Sequence, residues 1–154
     1  MKIVVDTNIV FSALLNSDSR IGRLLLNSRT CFEFFSCKYL RKEIQNHLPK
    51  IRNLSKLGDA ELNELISLVE SRIFFIDEDL LPTTIITEAQ SLVSGVDFDD
   101  FAFIALTNYL NGLLWTGDKV LIAGLQRKEY RQVITVQELW TKLEKWETEN
   151  PPQI

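Results

Sequence analysis

Histidine, cysteine, proline and glycine are all scarce in this chain of 154 residues, which holds one, two, four and six of them respectively. With His47 alone, a His-rich zinc site is excluded and a Ser-His-Asp triad is disfavoured. Cys31 and Cys37 lie six apart around the strand-like stretch FEFFS, without a second Cys or His pair at zinc spacing. Both are expected to be reduced and structural. No Gly-rich phosphate loop of the Walker kind occurs, and no dinucleotide fingerprint follows the first apolar run. Also missing are an apolar run near the roughly 20 residues that a membrane-spanning helix needs and the charged, apolar and small-residue succession of a signal peptide. The expectation is a cytoplasmic protein that does not engage a membrane.

What is present is apolar and evenly distributed. Hydrophobic residues make up 45% of the chain, with no internal repeat and no low-complexity stretch. This fits one compact domain over residues 1–148 with a loose tail at 149–154. The net charge of −4 argues against broad electrostatic capture of nucleic acid, but the charge is unevenly spread. Between positions 38 and 56 lie Lys38, Arg41, Lys42, Lys50, Arg52 and Lys56 against the single acid Glu43, whereas from 59 to 100 Arg72 is the only base. A basic segment around one acid suits a phosphate backbone held beside a metal. It suits a solvated helix face equally well.

Apolar runs at 2–5, 31–35, 73–76, 113–115 and 133–135 read as strands, the first of the kind buried on both faces. Helical patterns lie between them. Thr7 or Asn8 is expected to cap a helix through Leu15, Ser19 one through Leu26, and Ser36 one that carries Tyr39, Leu40, Ile44 and Leu48 and ends near Pro49. Further helices are expected from Asp59, from Pro82 or Thr83 through Val93 with a break at Gly95, from about Asp99 to Leu110, after Gly117-Asp118, and over 137–148. Strands alternating with helices throughout predict an α/β/α sandwich around a mostly parallel sheet. Ligands in such folds bind beyond the carboxyl ends of the strands, where strand order reverses.

Asp6 and Asp118 each follow a predicted strand closely, so parallel strands would bring both to that edge. Glu43 borders the apolar stripe of its helix, and Asp97, Asp99 and Asp100 stand before a strongly apolar one. Each has an ordinary alternative: helix caps for Asp6 and Asp118, a solvated charge for Glu43, and the positive helix N-terminus for the Asp97–Asp100 group. The conjunction is what carries chemistry. Two carboxylates about 4 Å apart repel by about 4 kcal/mol at an effective dielectric of about 20, so a fold that gathers several needs a cation. Magnesium and manganese prefer carboxylate and water oxygens. Such an ion activates water and neutralises charge on a phosphoryl group without any histidine.

Together, VDTNIVFSALL, the helix Glu in YLRKEI, DFDDFAFIALT and LLWTGDKVL resemble the four acidic motifs of the PIN domain, in the family's order, over positions 3 to 124. The resemblance implies a metal-dependent ribonuclease fold, often the toxin of a bacterial VapBC-type toxin–antitoxin pair, using Mg2+ or Mn2+. Carried over, Asp6 is the first metal ligand, Glu43 the helix acid, Asp100 the acid opening the central helix and Asp118 the acid of the TGD turn, with Asp97 an auxiliary ligand and Asp99 left out. The RNA backbone falls to Lys38, Arg41, Lys42 and Lys119, while Thr7, Asn8 and Thr116 either orient ligands or merely cap helices. An antitoxin partner and a homodimer follow from the family; Trp140 and Trp146 suit self-association and internal packing alike. Trp115, placed where a smaller residue is commoner in the family, reads as a core anchor rather than a base-stacking platform. A PIN-like module that binds RNA or protein without cutting is the main rival. An aspartyl-phosphate phosphatase of the haloacid dehalogenase type ranks lower, because Asn8 stands where that family needs a second Asp.

Overall fold

A computed structural model describes residues 1–93 and 100–154. Among them the chain runs β1 (Lys2–Val5), α1 (Thr7–Leu15), α2 (Arg20–Asn27), β2 (Glu33–Cys37), α3 (Tyr39–Asn46), α4 (Leu48–Leu54), α5 (Asp59–Ser71) and β3 (Ile73–Ile76). After a 3-10 turn at Glu78–Leu80 come α6 (Thr83–Leu92), α7 (Phe101–Leu110), β4 (Leu113–Trp115), α8 (Lys119–Arg127), β5 (Val133–Ile134) and α9 (Val136–Glu149). The strands form one sheet in the order β3-β2-β1-β4-β5, with every pairing parallel. The chain therefore builds outward from β1 to β3 on one side, then crosses back to lay β4 on the other. The reversal of strand order falls between β1 and β4.

Side chains alternate across a strand, and β1 uses that alternation to join two cores. Ile3 and Val5 enter one with Phe34, Trp115 and residues of α1 to α5 and α9; Val4 enters the other with Leu114 and residues of α6, α7 and α8. Helices thus cover both faces of the sheet, which is what an all-parallel sheet requires. Trp115 is fully buried and lies 5.9 Å from the Phe34 ring, as a core anchor. Trp140 is also accounted for within the chain: it packs on the first core, Arg20 lies over its ring at 5.3 Å, and its Nε1 donates to Glu144. Cys37 is buried, Cys31 is half-buried, and both are free thiols.

Several expected boundaries are corrected. Ser36 caps no helix; it is a buried residue of β2 whose Oγ donates to the Val5 carbonyl at 2.8 Å, and the strand runs two residues later than expected. Pro49 does not end a helix but stands in the first turn of α4, where its missing N–H costs nothing. Asp6, not Thr7 or Asn8, caps α1, and Thr135 belongs to the cap of α9 rather than to β5. The break expected at Gly95 and the helix start expected at Asp99 lie outside the described residues.

The turn from α7 into β4 sets how closely β4 lies against β1. Asn111 takes a left-handed conformation, and a Cβ on Gly112 would sit 2.7 Å from the Lys2 carbonyl oxygen, a contact with backbone that no rotamer change relieves. Gly112→Ala is expected to lower stability by about 1–3 kcal/mol, as overpacking of a close contact does. Urea unfolding measures it; an unchanged midpoint would mean that the close approach does not constrain the sheet.

Candidate active site

Asp6 is the first residue past β1, and its backbone still donates to the Trp115 carbonyl of β4, at 3.4 Å. Its side chain turns back to cap α1: Oδ1 accepts from the Ile9 N–H at 3.0 Å. Asp118, three residues past β4, caps α8 in the same way, its Oδ1 accepting from Val120 and Leu121 at 3.0 and 3.1 Å. Thr116 joins the two. Its Oγ accepts from the Asp118 N–H at 3.1 Å, and its hydroxyl donates to the Asp6 carboxylate. Asp6 and Asp118 are thus both helix caps, and capping is what aims their carboxylates toward the switch point between β1 and β4.

Asp6 and Asp118 line a cleft of about 430 Å³ together with Glu43 of α3 and Asp100, the residue that opens α7. Four acids remote in sequence thus face one space. Asp97 lies outside the described residues. Thr7 and Asn8 line the cleft as well, and so do Phe11, Tyr39, His47 and Lys50. Of the bases assigned to RNA, Lys38, Arg41, Lys42 and Lys119 are exposed or half-exposed and do not line this cleft. Arg41 instead lies over the Phe75 ring of β3 at 4.1 Å. Lys50 and His47 are not among the site residues expected from the sequence. Lys50 is visible in the basic segment, but the turn of α4 that brings it inward is hidden when Pro49 is read as a helix end.

Asp6 is 4% exposed, and it has no cationic partner among the described residues. Burial pushes its carboxyl pKa up from 3.8 to about 6; hydrogen bonds from Thr116 and the Ile9 and Asn8 N–H groups hold it down, and the nearby charge of Asp118 raises it. Glu43 meets a different neighbour. Its Oε2 lies 3.3 Å from the Nε2 of His47, one helical turn on.

Whether this set suits a hard divalent ion can be judged from its donors. Among the described residues no three His, Cys, Asp or Glu side chains stand close enough to enclose an ion by themselves. Magnesium keeps several waters and takes only one or two carboxylates, so oxygen ligands facing one another across a wet cleft fit it, and an all-carboxylate cage is not required. The buried Asp6 fits for the same reason: its hydrogen bonds offset only part of its desolvation, and a cation there would offset the rest.

An all-parallel α/β sandwich with acids gathered at its switch point defines a class of proteins that place ligands beyond the strand ends. The sequence profile of the PIN domain family matches residues 4–149. The chain belongs to the PIN domain family, whose members are generally nucleases using divalent metals. Among solved structures, it is similar to PAE2754 from Pyrobaculum aerophilum, with a TM-score of 0.66 at 18% identity over 94% of this chain and 96% of that one. It is also similar to a chain of VapBC2 from Rickettsia felis, solved bound to a DNA fragment from their promoter, with a TM-score of 0.64 at 16% identity over 88% and 97%. Comparison by sequence with curated proteins gives no match.

The raised pKa of Asp6 has a sign that experiment can read. A carboxyl whose pKa is higher folded than unfolded destabilises the fold when charged, so the cost is absent below about 3.8, grows as pH rises to about 6 and is complete above it. Asp6→Asn keeps the acceptor for Ile9 and removes the charge. In EDTA at neutral pH it is expected to be at least as stable as the wild type, by up to about 3 kcal/mol, with the difference closing as pH falls from 6 toward 4. Urea unfolding across that range checks it; an advantage that widens toward acid pH would contradict the burial of a charged Asp6.

Proposed function

We propose that this chain is a divalent-metal-dependent endoribonuclease and the toxin of a type II toxin–antitoxin pair. The observation that carries the reading is the buried Asp6 at the β1–β4 switch point, without a cationic partner among the described residues and in one cleft with Glu43, Asp100 and Asp118. Membership of the PIN domain family supports nuclease activity, and likeness to a chain of VapBC2 supports a VapC-like role with an antitoxin partner.

Asp6, Glu43, Asp100 and Asp118 are the residues that would hold one or two Mg2+ or Mn2+ ions, with Asp97 as the further ligand. A bound divalent ion supplies charge neutralisation on the phosphodiester and activation of water. Thr116 keeps Asp6 and Asp118 in register, Glu43 adds an acid from the opposing helix, and Phe11, Leu15, Ile51 and Leu54 give the cleft an apolar wall beside its acids. Lys50 lines the cleft, and Lys38, Arg41, Lys42 and Lys119 steady the RNA backbone outside it. RNA as substrate, a homodimer and a cytoplasmic site of action belong to the same proposal; among the described residues no helix is long and apolar enough to cross a membrane. One observation favours a catalytically silent module that binds RNA or a partner protein: Asp6 and Asp118 both have structural work as caps, which would retain them without chemistry.

A mixed-sequence fluorogenic RNA separates the two. With Mg2+ or Mn2+ the wild type is expected to cleave it, EDTA to stop cleavage, and a folded Asp6→Asn, Asp118→Asn double variant to lose at least about 100-fold in rate, as loss of metal-held charge stabilisation implies. Cleavage that survives in the folded double variant would remove the site from these acids. RNA binding without cleavage by a Mn2+-loaded wild type would favour the silent module.

A further inference from the structure

We propose that His47 is a positioning residue for Glu43, its imidazole holding the Glu43 carboxylate at the wall of the acid cleft; the inference rests on the metal-dependent reading above. Glu43 ends a flexible side chain whose ordering costs on the order of 1.5–2 kcal/mol of rotamer freedom. In the isolated helix nothing would choose one rotamer. The His47 Nε2 lies 3.3 Å from Oε2 and favours the rotamer that keeps that contact, with the other carboxylate oxygen left for an electropositive partner in the cleft.

The ring is itself held from two sides. Its residue is the joint between α3 and α4: the His47 N–H donates to the Glu43 carbonyl, and the His47 carbonyl accepts from the Ile51 N–H, each at 3.0 Å. Pro49 then stiffens the first turn of α4. From the opposite wall comes Phe11 of α1, whose ring meets the imidazole edge-on at 5.3 Å and 63°. Phe11 is on the helix that Asp6 caps, so the contact ties the orientation of Glu43 to the element that carries the deepest acid.

Exposure gives the order of the pair. The side chain of Glu43 is 19% exposed and that of His47 is 47% exposed, so the acid is the inner partner and the imidazole braces it from outside. As a stabilising pair the contact would matter little, since exposed ion pairs one turn apart on a helix contribute about 0.3–0.5 kcal/mol. Its effect falls on where the carboxylate points. No other histidine exists in the chain to take over that task.

The test is the Mn2+ dissociation constant by titration calorimetry, which needs no RNA target. His47→Leu keeps the apolar contact with Phe11 and loses the donor, with His47→Ala as a second donorless variant; His47→Gln keeps an N–H donor. The donorless variants are expected to bind Mn2+ about 10-fold more weakly, as loss of a hydrogen-bonding partner to a ligand does, and His47→Gln to stay within about 2-fold. In a Glu43→Ala background, His47→Leu is expected to add nothing further. Wild-type affinity in both donorless variants, or an equal loss in the Glu43→Ala background, overturns the positioning role and leaves the nuclease reading intact. A wild type that binds no Mn2+ overturns the nuclease reading and this inference with it.

Discussion

A negative charge held almost out of water at the end of the central strand is the constraint on which this structure turns. Asp6 is 4% exposed, capped onto α1, donated to by Thr116 and set near Asp118, and its pKa rises to about 6 under the cost of that burial. Natural folds relieve such a cost with a cation or by neutralising the group. Here no Lys or Arg among the described residues pairs with it. Hydrogen bonds relieve part of the cost, and the proposed divalent ion would relieve the rest, the surrounding oxygen donors suiting a hard cation.

The sheet is what makes this arrangement possible. Laying β4 on the far side of β1 from β2 puts the ends of two central strands side by side, and α1 and α8 leave from those ends with Asp6 and Asp118 as caps. Two residues far apart in the chain become neighbours through one parallel pairing, and Gly112 lets that pairing close. Both hydrophobic cores lock the same strand in place, because Ile3 and Val5 serve one and Val4 the other. Asp6 and Asp118 are held by capping bonds and a threonine hydroxyl, which depend on the sheet rather than on one another.

Much of this arrangement is legible in the sequence. Short apolar runs mark β1, β3 and β4, and the helical stretches that separate every strand from the next predict the layered, parallel architecture. Asp6, Asp100 and Asp118 stand out because strand ends and helix starts are where parallel folds bring residues together, whereas Glu43, in the body of α3, is marked only by its place beside the apolar stripe. What is not legible depends on contacts remote in sequence. Ser36 has every local attribute of a helix cap, but its hydroxyl is taken by the Val5 carbonyl 31 positions away. Pro49 is equally suited to ending one helix or opening the next, and only packing of α4 beside α1 decides. Reading it as an end also conceals Lys50 and His47, which reach the cleft because α3 and α4 meet at a joint. Thr116 is recognisable as a hydrogen-bonding residue, but its place between two acids requires knowing that β1 and β4 are neighbours.

On the proposed function, Asp6, Asp100 and Asp118 gather around a divalent ion at the switch point. Anomalous diffraction from crystals soaked in Mn2+ addresses it directly. The expected result is a single strong Mn2+ peak or a close pair inside the cleft, with a carboxylate oxygen of Asp6 or Asp118 in the coordination shell or one water away. Mn2+ bound only at surface carboxylates, with the cleft holding none, would contradict it.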